Sequence, residues 1–464
     1  MAGKINKFSI YILLSVLLSF QITAQEKTKE TAEKAEAETV VKEEVKVSEV
    51  SSLEEAVKMA LQNHPALSAA RKASEASRLG IDEAQGELYP SIDIRTAAGR
   101  EQTENSTVIN DGDQHRTLTR FESSLLLRQN IYTGGRISGN IEKRKNLSSE
   151  SFYLFLDEKE KTAFNAVDSY VEYCRNQSLI ELAKENVAVH EEILKNVDER
   201  FKRGMSREAD VIQVKGRLAL AKAQYQRELA NREAAIEQFV ESVGVKPTAK
   251  LAEPSDKQSS LPKDLKEAKN NALTEHPSLK ARKYNVKAAH AAVEESNGAF
   301  HPQVALELRA AENDNVGGTY GNDDAYSAMV VVSWNLFRGG ADSAVKSARL
   351  FEADQGQDLL IDEQRKISRN IGVAWHDYKG ILVELNYFLQ HEKASKETMA
   401  AYKEQYKINQ RTLFDLLNAQ NELFLASSRV VETKYSKLRG AYSIFANMGS
   451  ISNLFEAVAQ EEKK

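Results

Sequence analysis

The chain repeats itself. Residues 52–73 (SLEEAVKMALQNHPALSAARKA) align with 264–285 (DLKEAKNNALTEHPSLKARKYN), placing His64-Pro65 over His276-Pro277 at an offset of 276 − 64 = 212. The same offset takes Gly86 to Gly298 and Pro90 to Pro302. Further on, LRQNIYTGGRISG aligns with VSWNLFRGGADSA, so that Asn130 meets Asn335 at 335 − 130 = 205. That offset carries Gly134-Gly135 to Gly339-Gly340, Phe201 to Tyr406, Asp210 to Asp415 and Gly244 to Gly449. The slip of 212 − 205 = 7 falls between the two groups of landmarks, as expected of a loop, where length changes cost little. A chain built this way folds as two copies of one supersecondary plan packed side by side.

Each copy has the same order of parts. A helix-period segment ends at Pro90 or Pro302. A short alternating segment follows, 91–97 (SIDIRTA) with Ile92 and Ile94 on one face, or 303–309 (QVALELR) with Val304, Leu306 and Leu308 on one face. This is strand periodicity. After a polar stretch comes a second alternating segment. Phe121, Leu125, Leu127 and Ile131 share a face in the first copy, and Ala328, Val330, Val332 and Trp334 in the second. A Gly-Gly pair then opens a very long helical segment. Between Arg136 and Arg203 there is no Pro, and the only Gly is Gly139. At 1.5 Å per residue that is about 100 Å of helix. Residues 206–243 give about 55 Å more and 264–297 about 50 Å, so two shorter helices laid end to end match one long one. Such a helix has no place in a compact globule and suits a coiled-coil tube. Only 7 Pro and 22 Gly in 464 residues fit this reading.

Four strands cannot close a barrel alone, but their alternating apolar faces suit a wall between lipid and water. An open sheet edge cannot remain in lipid, so such a chain must oligomerise to close it. The N-terminus agrees with export. Lys4 and Lys7 precede an apolar run over 8–20, with Ala24 as the expected cleavage site of a signal peptide over 1–24. The run is too short for a spanning helix, and no Cys follows it for acylation. Residues 25–50, rich in Lys, Glu, Thr and Ala, read as a charged low-complexity linker. The first repeat then covers 51–245, a Pro- and Ser-containing connector 246–262, the second repeat 263–450, and a C-terminal tail 451–464. Cys174 is the single cysteine, so no internal disulfide forms. The net charge of −5, with Lys and Arg spread throughout, gives no basic patch for nucleic acid.

The repeated pieces SLEEAVKMALQNHPAL and DLKEAKNNALTEHPSL, the ELYPSIDI and AFHPQVAL junctions, NIYTGGR and NLFRGGA, and YKINQRTLFDLLNAQNELF together resemble the TolC family of outer-membrane efflux and secretion channels. The resemblance covers nearly all of the chain after the linker. It implies a mainly α fold with a small β part: a duplicated protomer with a long helical periplasmic barrel, giving four strands to a 12-stranded β-barrel in the outer membrane of a homotrimer. It implies a passive channel and not an enzyme, with no cofactor. It also implies a periplasmic adaptor and an inner-membrane energy source, either an ABC transporter for type I secretion or a proton-driven pump for drug efflux. TLFDLLNAQNELF, WNLFRGGAD and READVIQVKGRLALAKAQ are similar to members serving type I secretion.

By the same resemblance, the turns at 202–207 and 407–412 lie at the periplasmic tip. Arg203, Gly204, Met205, Ser206, Asn409, Gln410 and Thr412 are then the adaptor-docking surface. Gly204 suits a turn with positive φ, and its counterpart Asn409 tolerates the same region. Asp210 is expected to pair with Arg411 across neighbouring hairpins, with Tyr406 beside them, as a lock on the closed tip. Ala209 replaces a hydroxyl present in other members, removing one bond to Tyr406. Asp415 matches an acidic ring at the narrowest point of the tunnel, and the second acidic position of that pattern is Asn418, which weakens the field. Local sequence alone reads Asp415 as a helix cap, three residues after Thr412. One side chain can do both.

His64-Pro65 and His276-Pro277 read as helix restarts and not as metal ligands, because no ligand spacing accompanies them. HEEIL and HEKAS lack the second His of a zinc-protease helix. Trp334, Phe121 and Tyr132 suit an aromatic girdle or ordinary strand packing. A periplasmic coiled-coil scaffold without a pore is the rival class, and it would not need Ile92, Ile94, Val330 and Val332 exposed on one face.

Overall fold

The structure, a computed structural model, describes residues 50–248 and 251–455. The expected signal peptide, nearly all of the expected linker and the last nine residues lie outside the described residues.

Both repeats follow one plan. Helices α1 (Leu53–Asn63) and α2 (Pro65–Gly86) lead into strand β1 (Ser91–Thr103), a five-residue helix α3 (Ser106–Asn110) and strand β2 (Arg116–Tyr132). Then come α4 (Arg136–Lys202) and α5 (Glu208–Val243). The second repeat has α6 (Leu265–Glu275), α7 (Pro277–Asn297), β3 (Gln303–Asp314), β4 (Asn322–Ser333), α8 (Ala341–Lys407) and α9 (Leu413–Met448). The long helices are 67 residues in both repeats and the return helices 36 in both. The strands run longer than the alternating segments suggested, and β4 stops at Ser333, leaving Trp334 just beyond it. Helix α3 was hidden in a polar loop, where Asn105 caps it by accepting from the Val108 N–H at 2.9 Å.

The His-Pro pairs do restart helices. His64 ends α1 and His276 ends α6, and Pro65 and Pro277 take the first position of the next helix, where a missing N–H costs nothing. His276 also accepts from the Ser278 N–H at 3.2 Å as a cap. Ser52 and Glu55 form a capping box at α1, and Asp264 caps α6.

The strands form one antiparallel sheet in the order β1-β2-β3-β4. The register is continuous: Ile92 faces Leu127, Leu127 faces Leu308, and Leu308 faces Ala328. One bulge interrupts it, at Asn130–Tyr132 against β3. Among the described residues, β1 and β4 are the two open edges.

Helix α4 packs on α5 over its distal half and on α2 and α7 over the half nearer the sheet, and α8 does the same with α9 and with α6 and α7. Among the described residues, three apolar clusters hold these layers. One centres on Tyr170, Phe239 and Tyr442, with Val50, Leu53 and Val57 packed in. The second centres on Ile371, Trp375, Tyr378 and Ile444. The third, far from the sheet, joins Ile193, Val197, Val214, Met399 and Leu417. Each large side chain removed from water contributes about 1.5–3 kcal/mol. Cys174 lies in the first cluster, and burial pushes its thiol up to about 12.

Two boundaries shift. Val50, the last residue of the expected linker, is buried and bridges Pro247, so it belongs to the packed fold. Ile451–Phe455, read from sequence as the start of a tail, is a packed helical turn, with Ile451 fully buried. The connector is also tied down: the Tyr170 hydroxyl donates to the Ala252 carbonyl at 2.7 Å and the Tyr442 hydroxyl to the Ser255 carbonyl at 3.0 Å.

Candidate functional site

The sheet has two chemically different faces. Residues directly paired across strands share a face. One face carries Ile92, Ile94, Leu125, Leu127, Leu306, Leu308, Val330 and Val332. Ile92, Ile94, Val330 and Val332 are all exposed, as are Phe121, Tyr132 and Trp334 near the ends of the belt. The other face carries Asp93, Arg95, Glu101, Arg120, Glu122, Arg128, Glu307 and Arg309. There Arg120 bridges Glu101 at 3.2 Å and also pairs with Glu122, and Arg128 lies 3.7 Å from Glu307. Such ion pairs tolerate water and would be costly in lipid. The arrangement is a wall with a lipid side and a wet side. Among the described residues no helix is long and apolar enough to cross a membrane.

At the other end of the long helices, the two reversals have the same geometry. After α4, Gly204 takes φ +75°, its N–H bonds to the Phe201 carbonyl at 2.8 Å, and the Met205 N–H reaches the Arg200 carbonyl at 2.8 Å. After α8, Asn409 takes φ +62°, its N–H bonds to the Tyr406 carbonyl at 3.1 Å, and the Gln410 N–H reaches the Gln405 carbonyl at 2.9 Å. Asn in this region is tolerated at some cost, and here its side chain gains a partner. Arg200 donates to the Asn409 side-chain oxygen, and its guanidinium lies 5.0 Å over the Tyr406 ring.

Each return helix starts on an aspartate. Asp210 accepts from the Arg207 N–H at 3.1 Å and the Ser206 hydroxyl at 3.0 Å. Asp415 accepts from the Thr412 N–H at 3.2 Å and hydroxyl at 2.8 Å, while the Asp415 N–H returns a bond to that hydroxyl. These bonds, with Arg411 nearby, hold the Asp415 carboxyl below the usual carboxylate range. Burial, with Asp210 close by, pushes the Tyr406 phenol above its ordinary value, so it remains a donor at neutral pH.

Tyr406 packs beside Arg200 within one protomer, and the Asp210 carboxylate acts on its phenol through charge alone. Arg411 is turned elsewhere in the same chain: its guanidinium lies 4.3 Å over Tyr402 and its Nε donates to Gln405 at 3.0 Å. The expected Asp210–Arg411 pairing runs between neighbouring hairpins, and inside one protomer each has these other partners. Asn418 accepts from Arg217 of α5 at 3.2 Å, so this position is both uncharged and next to a cation. Arg203, Met205 and Asn409 line a cavity of about 450 Å³ between the two hairpins, with Ile193, Lys403 and Tyr406. Gly204, Gln410 and Thr412 are exposed on its outer side, and Ser206 is half-buried on Asp210.

Arg200, Arg217, Tyr402 and Gln405 escaped the sequence reading. The clue to Arg200 is the replacement of Gly204 by Asn409 in the second repeat, which adds a side-chain acceptor that Gly lacks. Among the described residues no group of His, Cys, Asp or Glu is placed to hold a metal ion.

Comparison with known proteins fits this geometry. The outer membrane efflux protein family profile matches residues 56–245 and 269–450. The outer membrane efflux protein BepC of Brucella suis is 24% identical over 78% of this chain and 80% of its own. The alkaline protease secretion protein AprF of Pseudomonas aeruginosa is 22% identical over 82% of this chain and 80% of its own. The crystal structure of the Campylobacter jejuni CmeC outer membrane channel superposes with a TM-score of 0.77 at 18% identity, covering 89% of each chain.

Proposed function

The chain belongs to the outer membrane efflux protein family, and from that premise we propose that it is the outer-membrane channel-tunnel of a type I secretion system, driven by an ABC transporter. Membership gives the coarse function: an outer-membrane channel whose helices extend into the periplasm. The observation that carries it in this chain is the two-faced sheet with two open edges, which needs further copies to close and has no use in a pore-free scaffold. A homotrimer contributing 12 strands meets that need.

In this reading the helical ends at 202–207 and 407–412 form the periplasmic tip. The cavity beside Tyr406 and the exposed turn residues receive an adaptor protein, which bridges to the inner-membrane transporter. Asp415 lines the constriction when three copies converge, while still capping α9. Asp210, Tyr406 and Arg411 hold the tip closed. The first and second repeats act as the two structural units. The stretch TLFDLLNAQNELF supports secretion of protein cargo, as does similarity to AprF, named for alkaline protease secretion. Similarity to BepC, named for efflux, supports the second reading, a multidrug efflux pump.

A quantitative comparison of surface and supernatant proteins between cells with and without the gene separates the two. Loss of one or a few large exported proteins is expected. An unchanged exported proteome with raised drug sensitivity would replace secretion with efflux. Recovery of the protein with the soluble periplasm would sink both.

A further inference from the structure

We infer that the longer strand-to-strand loop of the first repeat is a clamp, which holds the β3–β4 loop folded inward over the wet face and so sets the width of the channel's outer opening. This inference rests on the channel reading above. It concerns the end of the sheet farthest from the long helices.

β3 and β4 lie on one side of β2, and β1 lies on the other. A loop joining β3 to β4 has no need to leave its own strands. Here the Gly317 N–H donates to the Glu101 carboxylate on β1 at 3.3 Å. Neighbouring strands are about 4.8 Å apart, so β3 and β1 are separated by about 10 Å. The loop therefore crosses over β2 to make this contact, and it crosses on the wet face. Glu101 belongs to that face, and the alternation that places it there also places Thr103 of β1 and Arg116 and Leu118 of β2. Arg116 donates to the Gly318 carbonyl at 2.9 Å, and a Cβ on Gly318 would lie 3.2 Å from the Thr103 Cβ. Leu118 is only 8% exposed, whereas a bare wet face would leave it in water. Gly317 and Gly318 take φ +62° and +79°, a path that side chains larger than Gly resist. Below this crown the Asn315 and Gly321 backbones close the neck at 3.0 Å, and the Asn315 side chain donates to the Thr119 carbonyl of β2 at 3.2 Å.

The first repeat supplies the grip. Its loop, 104–115, is longer than its counterpart, 315–321, and the extra length contains α3. Asn105 caps α3 and also donates from its side chain to the Gly317 carbonyl at 2.8 Å. Val108 of α3 is fully buried, and a Cβ on Gly318 would lie 2.6 Å from it. Asp113 holds Arg116 at 2.8 Å and Asp111 holds it at 3.2 Å, while its guanidinium lies 4.8 Å over the Tyr320 ring. The crown is thus fixed at Gly317, Gly318 and Tyr320 by groups from the first repeat. Around a closed barrel the wet face lines the lumen, so each protomer projects one such arch into the outer opening. Val316, Gly317, Gly318, Thr319 and Tyr320 carry no charge. The arch therefore selects by size and not by the sign of charge.

The test uses the full-length protein in the outer membranes of intact cells, with Cys174→Ala as background. Ser124→Cys adds a reporter thiol on the wet face, deeper than the arch. Labelling from outside compares a small charged maleimide with one carried on a polyethylene glycol chain. Replacing residues 315–321 by Asn-Gly closes the Asp314–Asn322 pair as a tight turn and removes the arch. Arg116→Ala keeps the loop length and removes the grip. The small reagent should label the parent and both variants at similar rates. The polymer reagent should label the parent slowly, Arg116→Ala roughly tenfold faster, as the loss of a charged hydrogen bond implies, and the shortened loop at least as fast. Equal polymer rates in the parent and the shortened loop, whether both fast or both slow, would overturn the inference. So would an Arg116→Ala rate equal to the parent's, and this comparison decides alone if the shortened loop does not reach the outer membrane. Failure of the small reagent to label any of the three would instead remove the channel reading on which the inference rests.

Discussion

Arg200 and Asn409, 209 positions apart, are hydrogen bonded across the far end of the molecule, with the Arg200 guanidinium over the Tyr406 ring. The contact ties the last turn of α4 to the reversal between α8 and α9. Asn409→Gly keeps the turn, since Gly adopts positive φ freely, but removes the acceptor. A hydrogen bond to a charged group contributes about 1.5 kcal/mol, so the closed tip should lose stability by roughly a factor of ten. Single-channel recordings in planar bilayers should show more frequent or larger openings for Asn409→Gly. An unchanged record would mean that this contact does not restrain the tip.

The proposed lock between hairpins is tested separately. Asp210→Ala and Arg411→Ala should each raise conductance, and the double variant little further than either change alone, if the two residues act on each other across protomers. Simple additivity would assign each effect to its partners within the protomer, Ser206 and Arg207 for Asp210, Tyr402 and Gln405 for Arg411.

The proposed pore-lining role of Asp415 is separable from its observed cap. Asp415→Ala should weaken block by multivalent cations, and Asn418→Asp should strengthen it less than a free carboxylate would, because Arg217 lies beside it. Thr412→Ala removes the cap at a cost of about 1 kcal/mol and leaves the carboxylate, so block should persist. Equal loss of block in both variants would make Asp415 a cap only. The cap holds the carboxyl below its ordinary value. Its stabilisation is therefore present above the unfolded-state pKa and is lost as pH falls through the lowered folded one.

Glu160 behaves in the opposite sense. It is buried, accepting from the Ser452 N–H at 3.1 Å and pairing with its hydroxyl. Burial raises its pKa, although the Ser452 bonds act the other way. The folded state thus holds the proton more tightly than the unfolded chain. Stability from this site is full below the unfolded value of about 4.3 and declines as pH rises through the higher folded one. Glu160→Gln should flatten the pH dependence of the thermal midpoint across that window. A profile identical to the parent would show that Glu160 does not titrate there.

Much of this architecture was legible because it is written twice. Two copies of His-Pro, Gly-Gly and the final Gly mark helix restarts and ends that neither copy would establish alone. Strand faces followed from simple alternation at Ile92 and Ile94. Strand lengths did not, because the polar ends of β1 and β2 beyond the apolar belt carry no alternating signal. The partners at the tip were harder still. Nothing near Asn418 points to Arg217, 201 positions away, since helix pairing across a long hairpin is decided by register and not by local pattern. Ile451 and Phe455 carry no such signal, because a single helical turn is too short to show a period.

The matched lengths of the long helices, 67 residues in each repeat, act like staves cut to one measure. Both reversals end level, so every hairpin around a closed ring meets the others in one plane. A single residue inserted in α4 alone would lift its end by about 1.5 Å and swing it by about 100°, facing Arg200 away from Asn409. Redesigning the reach of such a vessel therefore means lengthening both repeats together, in whole helical repeats, or its rim will not meet.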